Sequence, residues 1–442
     1  MASWAEPLYT AEEMRAAEAG HDVGAMMERA GRAVAEAVLR RYPEARRISC
    51  VCGGGANGGD GRIAARILRE SARDAVEELT QDADLIVDAL FGTGFHGEPR
   101  AEPAALIEAI NQAPVPVVAV DLPSGVDAST GEVRGDAVRA DVTVTMHAPK
   151  VGLVVAPGAF QAGEIEVADI GLARRETEHR LVTDLLLERV PPRRREDNKY
   201  TAGSVLVVGG SPGYTGALCL AAEAAFRADA GYVAVATPRE SMAIVEQRLL
   251  EAVKRPLEEV DDAAHRASAA AIGPGLGRGT ERQALVRRLL GGLEIPVVLD
   301  ADGLHELEPF ERDAATVLTP HEGELGRLIG EEATWVAAHR LEALRRAVER
   351  FRCIVLLKGA DTLIGAPSGP TLVHASDTPG LATAGSGDVL TGVVAAFLSK
   401  RMEPLEAVAA AVAAQTAAAR TLSQRGLIAG DVVRALPHVL PS

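Results

Sequence analysis

The sequence predicts an α/β protein built from two fused domains, each a parallel sheet layered with helices. Three observations carry this expectation. Short apolar runs recur along the chain, and each ends on a glycine-rich or acidic loop that opens a helical pattern, as strand–loop–helix units do. The chain has 442 residues, more than one ordinary domain holds. The pattern lapses over residues 173–199, where Pro191-Pro192 and Arg193-Arg194-Arg195 stand in a charged stretch without period. We therefore read residues 1–172 and 195–442 as the domains and 173–194 as a linker. The halves share no motif, so they are a fusion rather than a duplication.

Composition narrows the function classes. Acids outnumber bases by 62 to 46, a net charge of −16, which disfavours nucleic acid or an anionic membrane as partner. Aromatic residues are only 3% of the chain, too few for base-stacking platforms. Cys50, Cys52, Cys219 and Cys353 show no zinc spacing, and all but Cys52 lie within or beside apolar runs. Reduced, mostly buried thiols and a cytoplasmic protein are expected. The N-terminal residues lack a basic region followed by an apolar core, and no apolar run reaches about 18 residues. Neither a signal peptide nor a membrane span is expected.

In the first half, Thr10 and Glu13 form a capping-box pattern ahead of one or two helices reaching Arg41. Met14, Ala17, Met26, Met27, Ala30 and Val34 make an apolar stripe read as core packing. A strand over Ile48–Cys52 runs into Gly53-Gly54-Gly55-Ala56-Asn57-Gly58-Gly59-Asp60-Gly61, and a helix is expected from Arg62. This is neither a dinucleotide fingerprint nor a P-loop, because the glycine spacing differs and no Lys-Ser/Thr follows. Asn57 and Asp60 add oxygen atoms that suit a cation or a ribose as well as capping. Two more strand ends carry acids, Asp88 before Gly92-Thr93-Gly94-Phe95-His96-Gly97-Glu98, and Asp121 before Ser124 and Asp127. Ligands of open α/β sheets bind at such ends. Lys150 follows a further strand ending at Met146 and is either an anion contact or a surface lysine.

These loops, with the stretch from Ala140 to Gly158, resemble the NAD(P)H-hydrate epimerase domain over roughly residues 10–172. The resemblance implies a Rossmann-like three-layer domain that interconverts the R and S forms of hydrated NADH and NADPH. It implies potassium held by Asn57, Asp88 and Ser124. It also implies substrate lined by Ala56, Asn57, Gly58, Gly59, Asp60, Gly92, Thr93, Gly94, Phe95, His96, Gly97, Glu98 and Asp121, with Asp121 and Lys150 handling protons. Ala56 stands where the family usually has Asn.

In the second half, strands over Ser204–Val208, Tyr232–Thr237, Ala269–Ile272, Val297–Leu299, Thr316–Leu318 and Ile354–Leu357 lead into polar loops. Lys358 ends the last of these and balances phosphate charge or lies on the surface. His321 sits between a proline and two acids. The stretch Ala384-Gly385-Ser386-Gly387-Asp388 precedes a long apolar segment, which predicts a tight loop opening a helix with free amides, an anion site. Asp388 either caps that helix or takes a proton beside the anion. Glycine loops, a lysine and a carboxylate base together suggest phosphoryl transfer to a hydroxyl.

This half resembles the ribokinase-like ADP/ATP-dependent NAD(P)H-hydrate dehydratase over roughly residues 195–440. The resemblance implies a ribokinase-like α/β domain, with Asp388 as base and Gly385, Ser386 and Gly387 as the anion hole. Lys358, Gly359, Ala360, Asp361 and Thr362 would lie by the nucleotide, and Ala217, Gly277 and His321 along the hydrate. ADP or ATP with magnesium would phosphorylate the ring hydroxyl, and departure of phosphate would restore NAD(P)H. A homo-oligomer is expected for enzymes of this type. A small-molecule kinase and a non-catalytic nucleotide-binding protein are the competing readings; the fused first half argues against the former, and Asp388, Lys358 and Asp121 against the latter.

Overall fold

The computed structural model describes residues 4–441; the ends of the expected domains, residues 1–3 and 442, lie outside the described residues. Among the described residues the chain folds as two units, one formed by residues 7–180 with 337–340, and one formed by residues 4–6, 181–336 and 341–441.

The N-terminal unit has a six-stranded sheet. Its strands are β1 (Arg47–Cys52), β2 (Asp74–Val76), β3 (Leu85–Ala89), β4 (Val117–Val120), β5 (Val142–Met146) and β6 (Glu164–Ala168). They lie in the order β2-β1-β3-β4-β5-β6, all parallel. Strands β3, β4 and β5 are buried throughout, as continuous Val/Ile/Ala runs of a covered parallel sheet should be. The Thr10–Glu13 capping box forms, ahead of the helix Ala11–Glu18. Helix α1 (Val23–Arg41) buries Ala30, Val34 and Val38 in the core between helices and sheet. Met14 and Ala17 join that core, while Met26 is partly buried.

Helix α2 starts at Ala56, six residues before the expected Arg62, and runs to Glu70. Asn57 and Asp60 are therefore helical. Glycine normally resists helix, but here its lack of a side chain is what the packing requires. A Cβ on Gly58 would stand 1.9 Å from the Gly53 carbonyl oxygen, and one on Gly61 would stand 2.5 Å from the Ala89 Cβ.

In the C-terminal unit, nine neighbouring strands of the sheet are β7 (Ser204–Val208), β8 (Tyr232–Thr237), β9 (Val253–Pro256), β10 (Ala269–Ile272), β11 (Val297–Leu299), β12 (Thr316–Leu318), β13 (Ile354–Leu357), β14 (Asp361–Gly365) and β15 (Thr371–Ala375). Their order is β15-β14-β13-β12-β11-β10-β7-β8-β9. The pairs from β9 to β13 are parallel, but β14 pairs antiparallel with both β13 and β15, a departure from the all-parallel expectation. The expected linker also carries structure. Leu186 and Leu187 of a 3₁₀ turn (Asp184–Arg189) are buried in this unit's core.

Helix α3 (Thr215–Arg227) packs on α4 (Ser386–Ser399) at closest range through small residues. A Cβ on Gly392 would lie 2.1 Å from the Ala221 carbonyl oxygen. The buried Val389, Val393, Val394 and Phe397 fix the other face of α4, each worth about 1.5–3 kcal/mol. That packing sets where the first turn of α4 points.

Candidate active sites

In the N-terminal unit the strand order reverses direction at β1, with β2 on one side and β3 on the other. The loops after β1 and β3 therefore diverge and leave a crevice at the strands' carboxyl ends. A cavity of about 640 Å³ lies there. Ala56, Asn57, Asp60, Gly92, Thr93, Gly94, Phe95, His96, Asp121 and Lys150 line it, together with Gly54 and Gly55. Helix α2 opens on Gly55 with no side-chain cap, so its first amides face this space unpaired by a capping group. Gly58, Gly59, Gly97, Glu98, Asp88 and Ser124 are not in the wall. Gly58 is packed against Gly53, and Gly59 against Met27, whose Cε would be 2.1 Å from an added Cβ.

Asp121 ends β4 with φ of 66°, a left-handed conformation uncommon for a residue other than glycine. Its Oδ1 accepts from Lys150 Nζ (2.5 Å), the Met146 N–H (3.2 Å) and Thr145 Oγ1 (3.3 Å). Its Oδ2 accepts from Thr93 Oγ1 (2.5 Å) and the Thr93 N–H (3.2 Å). Burial alone would raise its pKa, but Lys150 and these donors outweigh that and hold the carboxyl below its usual range. Lys150 is fully buried and also donates to Thr145 Oγ1 (3.0 Å) and the Met146 carbonyl (2.7 Å), so the lysine is not a surface residue.

Asp88 lies behind the wall. It accepts from Ser124 Oγ (2.6 Å) and the N–H groups of Ser124 (2.8 Å) and Leu90 (3.2 Å). Ser124 Oγ in turn accepts from the Phe91 N–H (2.8 Å), and Asn57 Nδ2 donates to the Phe91 carbonyl (2.7 Å). Asn57, Asp88 and Ser124 thus form one network around Phe91. Asp88 is fully buried with neutral donors only, and burial pushes its pKa up to about 6. The structure also brings in residues to which sequence reasoning gave no site role. Glu18 and Arg15 line the cavity, as do Met26 and Met27, which were expected in the core. No local pattern marks Glu18; a site role for the methionines follows only once α1 is placed beside α2.

In the C-terminal unit the strand order reverses at β7, between β8 and β10, and the loops after β7 and β10 again part there. The polar groups cluster at the ends of β11, β12 and β13 and at the start of α4. Helix α4 has Gly385 as its N-cap, with φ of 90° and no side-chain hydrogen bond. Asp388 sits in the first turn and does not cap, which removes the capping alternative. Its carboxyl is raised to about 7 by burial first, then by Asp300, with Lys358 opposing and Asp302 and Glu324 adding to the rise.

Lys358 Nζ donates to Asp300 Oδ1 (2.7 Å) and lies 4.0 Å from Glu324 Oε2. A Cβ on Gly387 would be 3.2 Å from Lys358 Nζ, so the lysine lies against the helix start. Burial would lower the Lys358 pKa, but Asp300 and Glu324 raise it on balance, so the ammonium is charged at neutral pH. Thr391 Oγ1 donates to Asp300 Oδ2 (2.6 Å), one turn along α4 from Asp388. Asp300 and Thr391 had no assigned role from sequence. Asp300 was findable, since it is an acid directly after a strand, as Asp121 is.

Gly359 and Ala360 are exposed, whereas Asp361 and Thr362 are buried at the start of β14 rather than in an open loop. Ala217 lies in the first turn of α3. The Gly277 N–H donates to Asp302 Oδ2 (2.9 Å), and Asp302 also pairs with Arg278 Nε (2.7 Å). His321 caps the helix Glu322–Ile329. Its Nδ1 accepts from the Gly323 N–H (3.0 Å), and Glu324 closes the box on the His321 N–H (3.0 Å). Structure accounts for that much of His321, and its exposed ring edge is left over.

Fold and sites together define a two-unit α/β protein, Rossmann-like in the first unit and ribokinase-like in the second. Residues 205–439 match the family described as NAD(P)H-hydrate dehydratase, and residues 23–75 and 69–152 match the YjeF-related protein N-terminus. A bifunctional NAD(P)H-hydrate repair enzyme of Moorella thermoacetica is 39% identical, over 94% of this chain and 92% of its own. That of Salinibacter ruber is 36% identical over 98% and 96%. The crystal structure of the ADP/ATP-dependent NAD(P)H-hydrate dehydratase from Bacillus subtilis, co-crystallised with ATP/Mg2+, is similar with a TM-score of 0.54 and 29% identity. It covers 58% of this chain and 96% of that one. The chain belongs to the bifunctional NAD(P)H-hydrate repair enzyme family. Among the described residues no helix is long and apolar enough to cross a membrane.

Proposed function

We propose that the C-terminal site removes water from S-NAD(P)HX at the expense of ADP or ATP, and that the N-terminal site interconverts R- and S-NAD(P)HX. One observation carries the first assignment: an uncapped helix start with an acid in its first turn that does not cap it, against a half-buried lysine. Asp388 takes the proton of the C6 hydroxyl as that oxygen attacks the terminal phosphoryl group of the nucleotide. The amides of Gly385, Ser386 and Gly387 and the charge of Lys358 steady the moving phosphoryl group. Phosphate then leaves with the C–O electron pair, the ring nitrogen's lone pair assists, and loss of a C5 proton restores the reduced ring. Hydroxide would be a far poorer leaving group.

Magnesium binds through one or two carboxylates with phosphate oxygens and water, and it neutralises phosphate charge. Potassium fits the first site, because Asp88 is a buried carboxylate with no cation among its described partners. Asn57 Oδ1, Asp88 and Ser124 would hold it and keep Asp88 ionised. Held there, it would steady the Leu90–Phe91 turn, which Ser124 and Asn57 already bond, and with it the cavity wall.

Incubating the protein with separately purified R and S hydrates, ADP or ATP and magnesium tests the reading. Return of reduced-nicotinamide absorbance with release of phosphate is expected. A stable phosphorylated product with no reduced nicotinamide would overturn it.

A further inference from the structure

We propose that Asp60 is the proton-transfer group of the N-terminal reaction, acting as a neutral carboxylic acid that gives one proton to the substrate while taking another. The inference rests on reading this cavity as the site where hydrate epimers interconvert. It departs from the expectation that Asp121 and Lys150 handle the protons.

Geometry separates the groups. Asp121 accepts five hydrogen bonds, and Lys150 spends its three protons on Asp121, Thr145 and the Met146 carbonyl. Neither can exchange a proton with a ligand without dismantling this arrangement. Asp60 also lines the cavity, is 9% exposed, and has an Oδ1 with no hydrogen-bond partner. Hydrogen-bonding capacity left unspent on a buried carboxyl is unusual and points to a ligand atom as its missing partner.

Charge agrees with geometry. Asp60 faces Asp121 and Glu18, and the nearest opposing charge, Lys150, is already bonded to Asp121. Arg15 and His96 also line the cavity and are exposed. An ionised Asp60 would be a buried anion beside other anions, which is costly. Burial is the main cost of ionising Asp60; Asp121 and Glu18 add to it, and Lys150 opposes it.

A neutral carboxyl suits the chemistry of a carbon bearing both hydroxyl and ring nitrogen. The Asp60 hydroxyl gives its proton to N1 as the C6–N1 bond breaks and its electron pair passes to N1. The other Asp60 oxygen takes the C6 hydroxyl proton as the C6=O bond forms. Asp60 ends as it began, a carboxylic acid, and the substrate is an open aldehyde. Rotation about C5–C6 and the reverse exchange close the ring on the opposite face. No atom is gained or lost.

The test uses the full chain with potassium and without ADP or ATP, so that only R–S interconversion is read, by chromatography across pH. Wild type should lose kcat/KM as pH rises through about 8, where Asp60 ionises. Asp60→Asn should fall by about 10²–10⁴-fold and lose that pH limb. Asp60→Glu should recover part of the activity with the limb displaced, which a collapsed fold could not do. Activity of Asp60→Asn within about ten-fold of wild type with the limb intact, or an Asp60→Glu limb at the wild-type pH, overturns the role of Asp60 alone. A wild-type protein that leaves the two epimers unchanged overturns the functional reading and this role with it.

Discussion

Asp388 is the base proposed for the C-terminal chemistry, and its surroundings give its pH behaviour. Burial and the acids Asp300, Asp302 and Glu324 raise its carboxyl to about 7 against the pull of Lys358. A base must be ionised to act, so dehydratase kcat/KM should rise with pH and level off above about 7. Asp388→Asn should remove that limb and lower turnover by about 10²–10⁴-fold. Steady-state assays of S-hydrate clearance across pH check both. Asp300 is buried and paired with the half-buried Lys358, and removing the lysine strands the carboxylate. Lys358→Met should therefore cost about 3–5 kcal/mol of stability as well as activity, read by denaturant unfolding. Asp388 could be found from sequence because glycines, a lone acid and an apolar helix are contiguous. The Asp300–Lys358 contact spans 58 residues of chain and depends on β11 and β13 flanking β12, which no local pattern reveals.

At the scale of elements, both sites rest on glycines with different duties. Gly54 and Gly55 have open space around them, whereas Gly58 has the Gly53 carbonyl oxygen 1.9 Å from where its Cβ would be. Gly54→Ala should leave the melting temperature close to wild type, and Gly58→Ala should cost about 1–3 kcal/mol or more by overpacking, checked by thermal unfolding. Sequence predicted the central strands closely because Val- and Ile-rich runs between glycine and acidic loops have few alternatives. The strands away from the sheet centres were harder. β2 (Asp74–Val76), β9 (Val253–Pro256) and β15 (Thr371–Ala375) are short or partly polar, and β14 opens on an acid that reads as loop. The early start of α2 was hidden for a related reason. Its glycines lower helix propensity and are kept by tertiary contacts that only the folded unit displays.

At the scale of the whole molecule, two sites of complementary task share one chain. The S-specific step consumes one epimer, and the interconversion feeds it the other. The two should be separable. Asp388→Asn should slow clearance of both hydrates by about 10²–10⁴-fold, while loss of the N-terminal site should slow only R. Replacing potassium with a bulky organic cation should likewise slow R clearance selectively, since Asp88 would then lack the cation proposed to keep it ionised, and S clearance should persist. The most direct measurement follows reduced-nicotinamide absorbance with purified R hydrate, ADP or ATP, magnesium and potassium. It compares wild type with Asp388→Asn and with wild type lacking potassium. The account predicts full recovery of NAD(P)H by wild type, recovery about 10²–10⁴-fold slower by Asp388→Asn, and slow recovery without potassium. Recovery by Asp388→Asn at the wild-type rate, or no recovery by wild type, would contradict it.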